Sequence, residues 1–195
     1  MSLLFVIEHL EPRLSRWVLI EYEHASVIVG REGLAFTNVK RGFKTLQKLG
    51  RVYRESATEI FDREDTIVLD PKAEELLEPS DFEDARAVVV GGILGDHPPR
   101  GRTFSLITSR MKRARARSLG ECQFSIDGAV YMALKVASGA RLSEIPVANS
   151  LTLRCGDLEI HLPYCYPLVN GRPVISPKLI DYLLRTDIVQ AGTED

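Results

Sequence analysis

The sequence predicts an α/β domain with a largely parallel sheet, on three observations. Segments of strand character alternate with segments of helical period, as crossover connections between parallel strands require. The run Ala87 to Val90 is apolar at every position and rich in β-branched residues, as a strand covered on both faces must be. It leads directly into a stretch with four glycines, an acid, two prolines and two arginines, so that Val88 to Thr103 reads VVVGGILGDHPPRGRT. Glycines after a strand let backbone amides touch a small molecule, and prolines hold the next loop in a fixed shape.

Leu3 to Ile7 reads as the first strand, and Trp17 to Tyr22 satisfies both the helical and the strand period. Leu34 to Val39 is a second strand, followed by a helical stretch from Phe43 to Leu49 that stops at Gly50. Ile67 to Leu69 is a short strand ended by Asp70 and Pro71, and the acidic EELLEPSDFED supplies a helical turn and a loop. Beyond the glycines, Phe104, Ile107, Met111 and Ala114 recur at helical spacing, which predicts a helix ending near Gly120 with Arg110, Lys112, Arg113, Arg115 and Arg117 on its flanks. Cys122 to Ser125 reads as extended, and Asp127 is placed to cap a helix carrying Ala129, Val130, Ala133, Val136 and Ala137. Two short strands, Leu151 to Arg154 and Leu158 to Leu162, an irregular PYCYPLVNGRP run and a helix from Pro177 to Leu184 complete the chain. In open parallel sheets ligands sit beyond the carboxyl ends of the strands, which brings Gly91 to Asp96 and Phe124 to Asp127 to one crevice.

A length of 195 residues with 45% hydrophobic content suits one domain over 1–195, with 140–195 as its C-terminal extension. No apolar run approaches a membrane span, and MSLLFVIEHLEP lacks the basic start and small-residue cleavage site of a secretory signal. Cys122, Cys155 and Cys165 are odd in number and spaced for neither a disulfide framework nor a metal knuckle, so a reducing cytoplasm is the expected setting. A net charge of -2 argues against a protein that coats nucleic acid. That total hides a segregation: Arg54 to Arg86 holds twelve acids and four bases, and Arg100 to Arg117 holds seven bases and no acid. Two faces of opposite sign are the expectation, the basic one being either a solvated helix face or a seat for an acidic or phosphate-bearing partner.

The glycine-rich turn carries no Lys-Ser or Lys-Thr at P-loop spacing, and GGILG lacks the GxGxxG order, which disfavours nucleoside triphosphates and NAD. His97 is a candidate base but equally a local hydrogen-bonding residue. Cys165 has no histidine and acid placed by the sequence to activate it as a nucleophile. His161, Cys155 and Cys165 are spaced unlike a zinc site, so no metal is expected.

VIEHLEP with RWVLIEYEH, LDPKAEELLEPSD, GGILGDHPPRGRT, LGECQFSIDGAV and LEIHLPYCYP, in this order over nearly the whole chain, resemble the SPOUT-fold methyltransferase family that includes the fungal SPOUT-type protein arginine methyltransferase. The resemblance implies a parallel α/β sheet with a C-terminal trefoil knot whose loops bind S-adenosylmethionine, with S-adenosylhomocysteine as product. It assigns Gly91, Gly92, Ile93, Leu94, Gly95 and Asp96 to one cofactor loop and Leu119, Gly120, Gln123, Phe124, Ser125, Ile126 and Asp127 to the other. Backbone groups there would read the adenine edge, with Ile93, Leu94, Phe124 and Ile126 sandwiching the base.

Methyl transfer from a sulfonium is mainly a matter of in-line positioning. A guanidinium acceptor would want a carboxylate to orient it, for which Asp96, Glu159 and Glu8 are the candidates; Arg102 is a candidate to set the nucleophile. An RNA acceptor would instead use Arg100, Arg110, Arg113 and Arg117 as phosphate contacts. The chain departs from the family pattern at Gly101, where an aspartate is usual, in RTFSLI, which lacks an acid, at Cys165, where an arginine is usual, and in QFSIDGA, which loses two hydroxyls. The implied activity is protein arginine N-methylation, by a monomer, of a protein of the translation machinery such as a ribosomal one. An RNA methyltransferase on the same scaffold and a non-catalytic ribosome-associated module are the alternatives.

Overall fold

The computed structural model describes residues 3–95, 100–156 and 158–191. Strand β1 (Leu4–His9) is followed by α1 (Arg16–Val29), β2 (Leu34–Thr37), α2 (Phe43–Leu46), β3 (Arg51–Val52), α3 (Ala57–Ile60) and β4 (Thr66–Leu69). A 3-10 turn at Pro79–Phe82 leads to β5 (Ala87–Gly92), then α4 (Arg102–Leu106), a 3-10 turn at Thr108–Arg110 and β6 (Arg115–Arg117). Helix α5 (Ile126–Ala137) precedes β7 (Val147–Ala148), β8 (Leu151–Cys155), β9 (Leu158–Leu162), β10 (Tyr166–Val169), β11 (Arg172–Pro173) and α6 (Pro177–Ala191).

The first six strands form one sheet in the order β3-β2-β1-β5-β4-β6, with every neighbouring pair parallel. The period of two along β5 explains its unbroken apolar run. Val88 and Val90 join Phe5, Ile7, Leu34 and Phe36 under α1 and α5, while Ala87 and Val89 join Val6, Ala35, Ile107 and Met111 on the opposite face. A third cluster, Ile20, Leu162, Tyr166, Ile175, Leu179 and Leu183, packs the β8–β9 hairpin and α6 against α1. The expected strands and the C-terminal hairpin are present, and the ambiguous Trp17 to Tyr22 is helical: Ser15 caps α1, its hydroxyl accepting from the Val18 amide.

Three expectations are corrected. The basic segment is not one helix ending near Gly120: α4 stops after Leu106, and Arg115–Arg117 joins the sheet beside β4. The amides of Lys112, Arg113 and Ala114 donate to the carboxylate of Asp62, a contact across some fifty residues that helical periodicity does not encode. Nor do the acidic and basic segments make separate faces. Arg117 pairs with Asp81 and Glu75, and Arg115 with Asp84, so each segment neutralises part of the other. The cap of α5 is Ser125, whose hydroxyl accepts from the Gly128 amide; Asp127 lies inside the first turn.

The cysteines also differ from expectation. The sulfur atoms of Cys122 and Cys165 are bonded, with their Cα atoms 5.8 Å apart, although the spacing had suggested no disulfide. The pair is made by the chain returning beside its own loop: Phe124 and Cys165 form a parallel bridge, and the Cys165 amide donates to the Gln123 carbonyl at 2.9 Å.

Candidate active site

At the carboxyl ends of β4, β5 and β6 a cavity of about 200 Å³ opens among the loops that follow these strands. Its walls are Leu69 to Lys72 after β4, Gly91, Ile93 and Gly95 at the end of β5, Gly101 to Thr103, and Leu119 to Ile126 after β6. Most of the lining is apolar, with backbone on two sides, an arrangement suited to a flat heteroaromatic group. The loop leaving β5 is braced by Glu11, whose carboxylate accepts from the Leu94 amide at 3.0 Å and pairs with Arg102 at 3.6 Å. Arg102 in turn donates to the Leu94 carbonyl at 2.5 Å.

A second cavity, of about 230 Å³, shares Ile93, Gly95, Ser125 and Ile126 with the first and is completed by Trp17, Glu21, Leu94 and Tyr164. Glu21 is its only acid among the described lining residues and is 3% exposed. One carboxylate oxygen accepts from the Trp17 indole at 2.6 Å, the other from the Ile126 amide at 3.0 Å. Burial, and secondarily the charge of Asp127, push the Glu21 carboxyl up to about 8, although both donors act in the opposite sense. Tyr164 closes this side, its hydroxyl donating to the Gly95 carbonyl at 2.8 Å.

The site residues expected from the sequence fall into three groups. Gly91, Ile93, Gly95, Leu119, Gly120, Gln123, Phe124, Ser125 and Ile126 line the first cavity, and Leu94 lines the second. Gly92 and Asp127 do not line either. A Cβ on Gly92 would stand 2.7 Å from the Glu8 carbonyl oxygen and against the Tyr22 hydroxyl, so this glycine serves packing inside the sheet layer. Asp127 is 1% exposed and committed to the Ser125 hydroxyl, the Gly128 amide and His24.

Among the described catalytic candidates, only Arg102 reaches the cavity. Glu8 is buried and fully engaged by Ser56, Thr37 and the Ala57 amide. Glu159 is exposed on β9 and pairs with Arg154. Asp96 and His97 lie outside the described residues. Arg100, Arg110 and Arg113 are exposed and line neither cavity, while Arg117 is held by Asp81 and Glu75. Sequence reasoning missed Trp17, Glu21 and Tyr164. The available signal was helical spacing: Trp17, Glu21 and His24 stand at i, i+4 and i+7, one stripe of α1.

A family model described as "Protein arginine N-methyltransferase SFM1-like" matches residues 4–190. The chain belongs to this SFM1-like family. Protein arginine N-methyltransferase SFM1 of Saccharomyces cerevisiae is 29% identical to it over 206 residues, spanning 96% of both chains. The crystal structure of the yeast arginine methyltransferase SFM1 complexed with SAH superposes with a TM-score of 0.85 at 27% identity, over 92% of this chain and 94% of that one. A dual-specific Trm10 from Thermococcus kodakaraensis shares the fold at a TM-score of 0.60 and 18% identity, over 73% of this chain and 96% of its own. The SFM1-like chain therefore has the SPOUT methyltransferase fold expected from its motifs. Among its described residues no helix is long and apolar enough to cross a membrane.

Proposed function

We propose that this chain transfers a methyl group from S-adenosylmethionine to a guanidinium nitrogen of an arginine in a protein. The observation that carries the reading is the adjoining of two unlike cavities, one apolar and backbone-lined, the other walled by a buried carboxyl and two aromatic rings. The first fits the adenosyl group: Ile93, Leu119, Phe124 and Ile126 offer apolar surface to a base, and Gly91 leaves the β5 wall without a side chain. S-adenosylmethionine brings its methyl on a sulfonium, already activated for displacement.

What the chain supplies is position. A guanidinium stacks on aromatic rings and donates in a fork to a carboxylate, and Trp17, Tyr164 and Glu21 present those partners together. Entry of the cation favours the ionised form of Glu21, so a carboxyl that is neutral in the empty site becomes the carboxylate that orients the acceptor. Arg102 and Glu11 brace the loop at Leu94, between the two cavities. An RNA acceptor offers no cation to Glu21, and Arg117, one of the expected phosphate contacts, is already paired with Asp81 and Glu75.

The finer parts of the reading are a translation-related target, a monomeric enzyme, a cytoplasmic setting and a trefoil knot. The knot is supported at Gly95, where a Cβ would collide with Gln123 and come within 2.7 Å of the Tyr164 ring, as where one loop passes tightly under another. Donor carrying a labelled methyl is incubated with the protein and a cell lysate, and acid hydrolysates are resolved for methylarginine. Label in methylarginine, lost in Glu21→Gln, is the expected result; label in RNA alone overturns the proposal, and label in neither points to a binding module.

A further inference from the structure

Behind Glu21, away from the cavity, α1 and α5 are joined by a polar cluster that the acceptor site does not itself use. His24 lies one turn beyond Glu21 on α1, and its Nδ1 meets Asp127 Oδ2 at 2.6 Å. The other oxygen of Asp127 accepts from the Ser125 hydroxyl at 2.7 Å and from the Gly128 amide at 3.0 Å, so the carboxylate is saturated and pinned to the first turn of α5. Between Ser125 and Asp127 sits Ile126, whose amide holds Glu21 at 3.0 Å and whose side chain lines both cavities. Movement of Asp127 therefore moves the donor that fixes Glu21. Loss of its charge also changes the field in which Glu21 ionises.

We propose that His24 and Asp127 are positioning residues for methyl transfer: their hydrogen bond fixes the turn whose amide holds Glu21, and with it the place of the Glu21 carboxyl toward the acceptor. The proposal rests on the arginine reading for its purpose, not for its physical content. Facing Glu21 are Trp17 and Tyr22 on its own helix, Asp127 on α5, and Tyr164 and Tyr166 from the C-terminal part. Tyr22 and Tyr166 stay neutral through the working range, since burial raises both. Asp127 is thus the near charge on Glu21, and His24 holds it in place. Removing Asp127's charge should lower the Glu21 midpoint, and removing the His24 hydrogen bond, which loosens the Ile126 amide on Glu21, should raise it.

The test uses the full chain labelled with carboxyl-¹³C glutamate. Titration followed by NMR should show one glutamate with a midpoint near 8, absent from Glu21→Gln. Asp127→Asn should move that midpoint down and His24→Leu, which removes the bond to Asp127, should move it up, each by about one unit. His24→Gln retains a donor for Asp127 and should leave the midpoint in place, which keeps the test open if Asp127→Asn folds poorly. Midpoints that stay put in both Asp127→Asn and His24→Leu, or that move the same way in both, overturn the proposal. The acid limb of the methylation rate, measured with the lysate acceptor, should follow the same two directions. A purely structural role would lower the rate at every pH and leave that limb in place. If the wild-type protein labels no protein while the NMR midpoints shift in opposite directions, the arginine reading fails and the coupling of His24 and Asp127 to Glu21 stands.

Discussion

Glu21 gives the fold a pH dependence that one substitution should remove. Its carboxyl stands at about 8 in the folded chain against an ordinary 4.5, chiefly because burial penalises the charge. The folded state therefore holds a proton that the unfolded chain has released throughout that window, and stability falls as pH rises through it. Each unit of displacement is worth about 1.36 kcal/mol, so the full contribution approaches about 5 kcal/mol, present below the unfolded value and lost by about pH 8. Glu21→Gln deletes the ionisation. It also leaves one carbonyl oxygen for two donors, Trp17 Nε1 and the Ile126 amide, an offset of about 1–3 kcal/mol that does not vary with pH. The readout is consequently a slope: in urea unfolding between about pH 5 and pH 9, the variant should gain on the wild type by several kcal/mol. A stability difference that is flat across this range would refute the assignment of Glu21 as a buried, raised carboxyl.

Three further outcomes follow from the same geometry. Gly92→Ala should cost about 1–3 kcal/mol in thermal unfolding, since its Cβ meets the Glu8 carbonyl oxygen and Ile7, yet leave donor affinity of the folded protein intact by calorimetry; Gly91→Val, which fills the cavity, should do the reverse. Reduction of the Cys122–Cys165 bond, which spans 43 residues, should lower stability by about 4 kcal/mol in the chain-entropy view, and a Cys122→Ser, Cys165→Ser double variant should melt identically with and without reductant. Glu8→Gln should destabilise by about 1–3 kcal/mol by upsetting its bonds to Ser56, Thr37 and Ala57, while the methylation rate per folded molecule is retained, against a catalytic role for Glu8.

The sheet was legible where local pattern and burial agree. The β-branched run of β5 and the glycines after it announce both a central strand and the crevice at its end. The segment from Phe104 to Arg117 was not legible, because its helical period is overruled from outside: Asp62 takes three amides, and β4 takes Arg115–Arg117 into the sheet. The first cavity follows from two local motifs, GGILG and LGECQFSI. The second does not, since Glu21 becomes informative only when α1 is set against Ile126, 105 residues away. A glutamate among apolar neighbours in RWVLIEYEH carries no mark of burial in its own spelling. Cys122 and Cys165 likewise look unrelated until the chain returns beside Phe124.

The exchange of charge between Arg115, Arg117 and the acids at Glu75, Asp81 and Asp84 has a consequence for how the molecule meets its own copies. A parallel sheet of six strands ends in two rows of backbone groups open to pairing, and here one end is the two-residue β3 and the other the three-residue β6. Short edges that carry arginine, with the β6 arginines tied down by acids of the same chain, give an incoming strand few sites to pair with and a charge to bury for each. The part of the basic segment that enters the sheet, Arg115–Arg117, thus guards it against edge-to-edge growth.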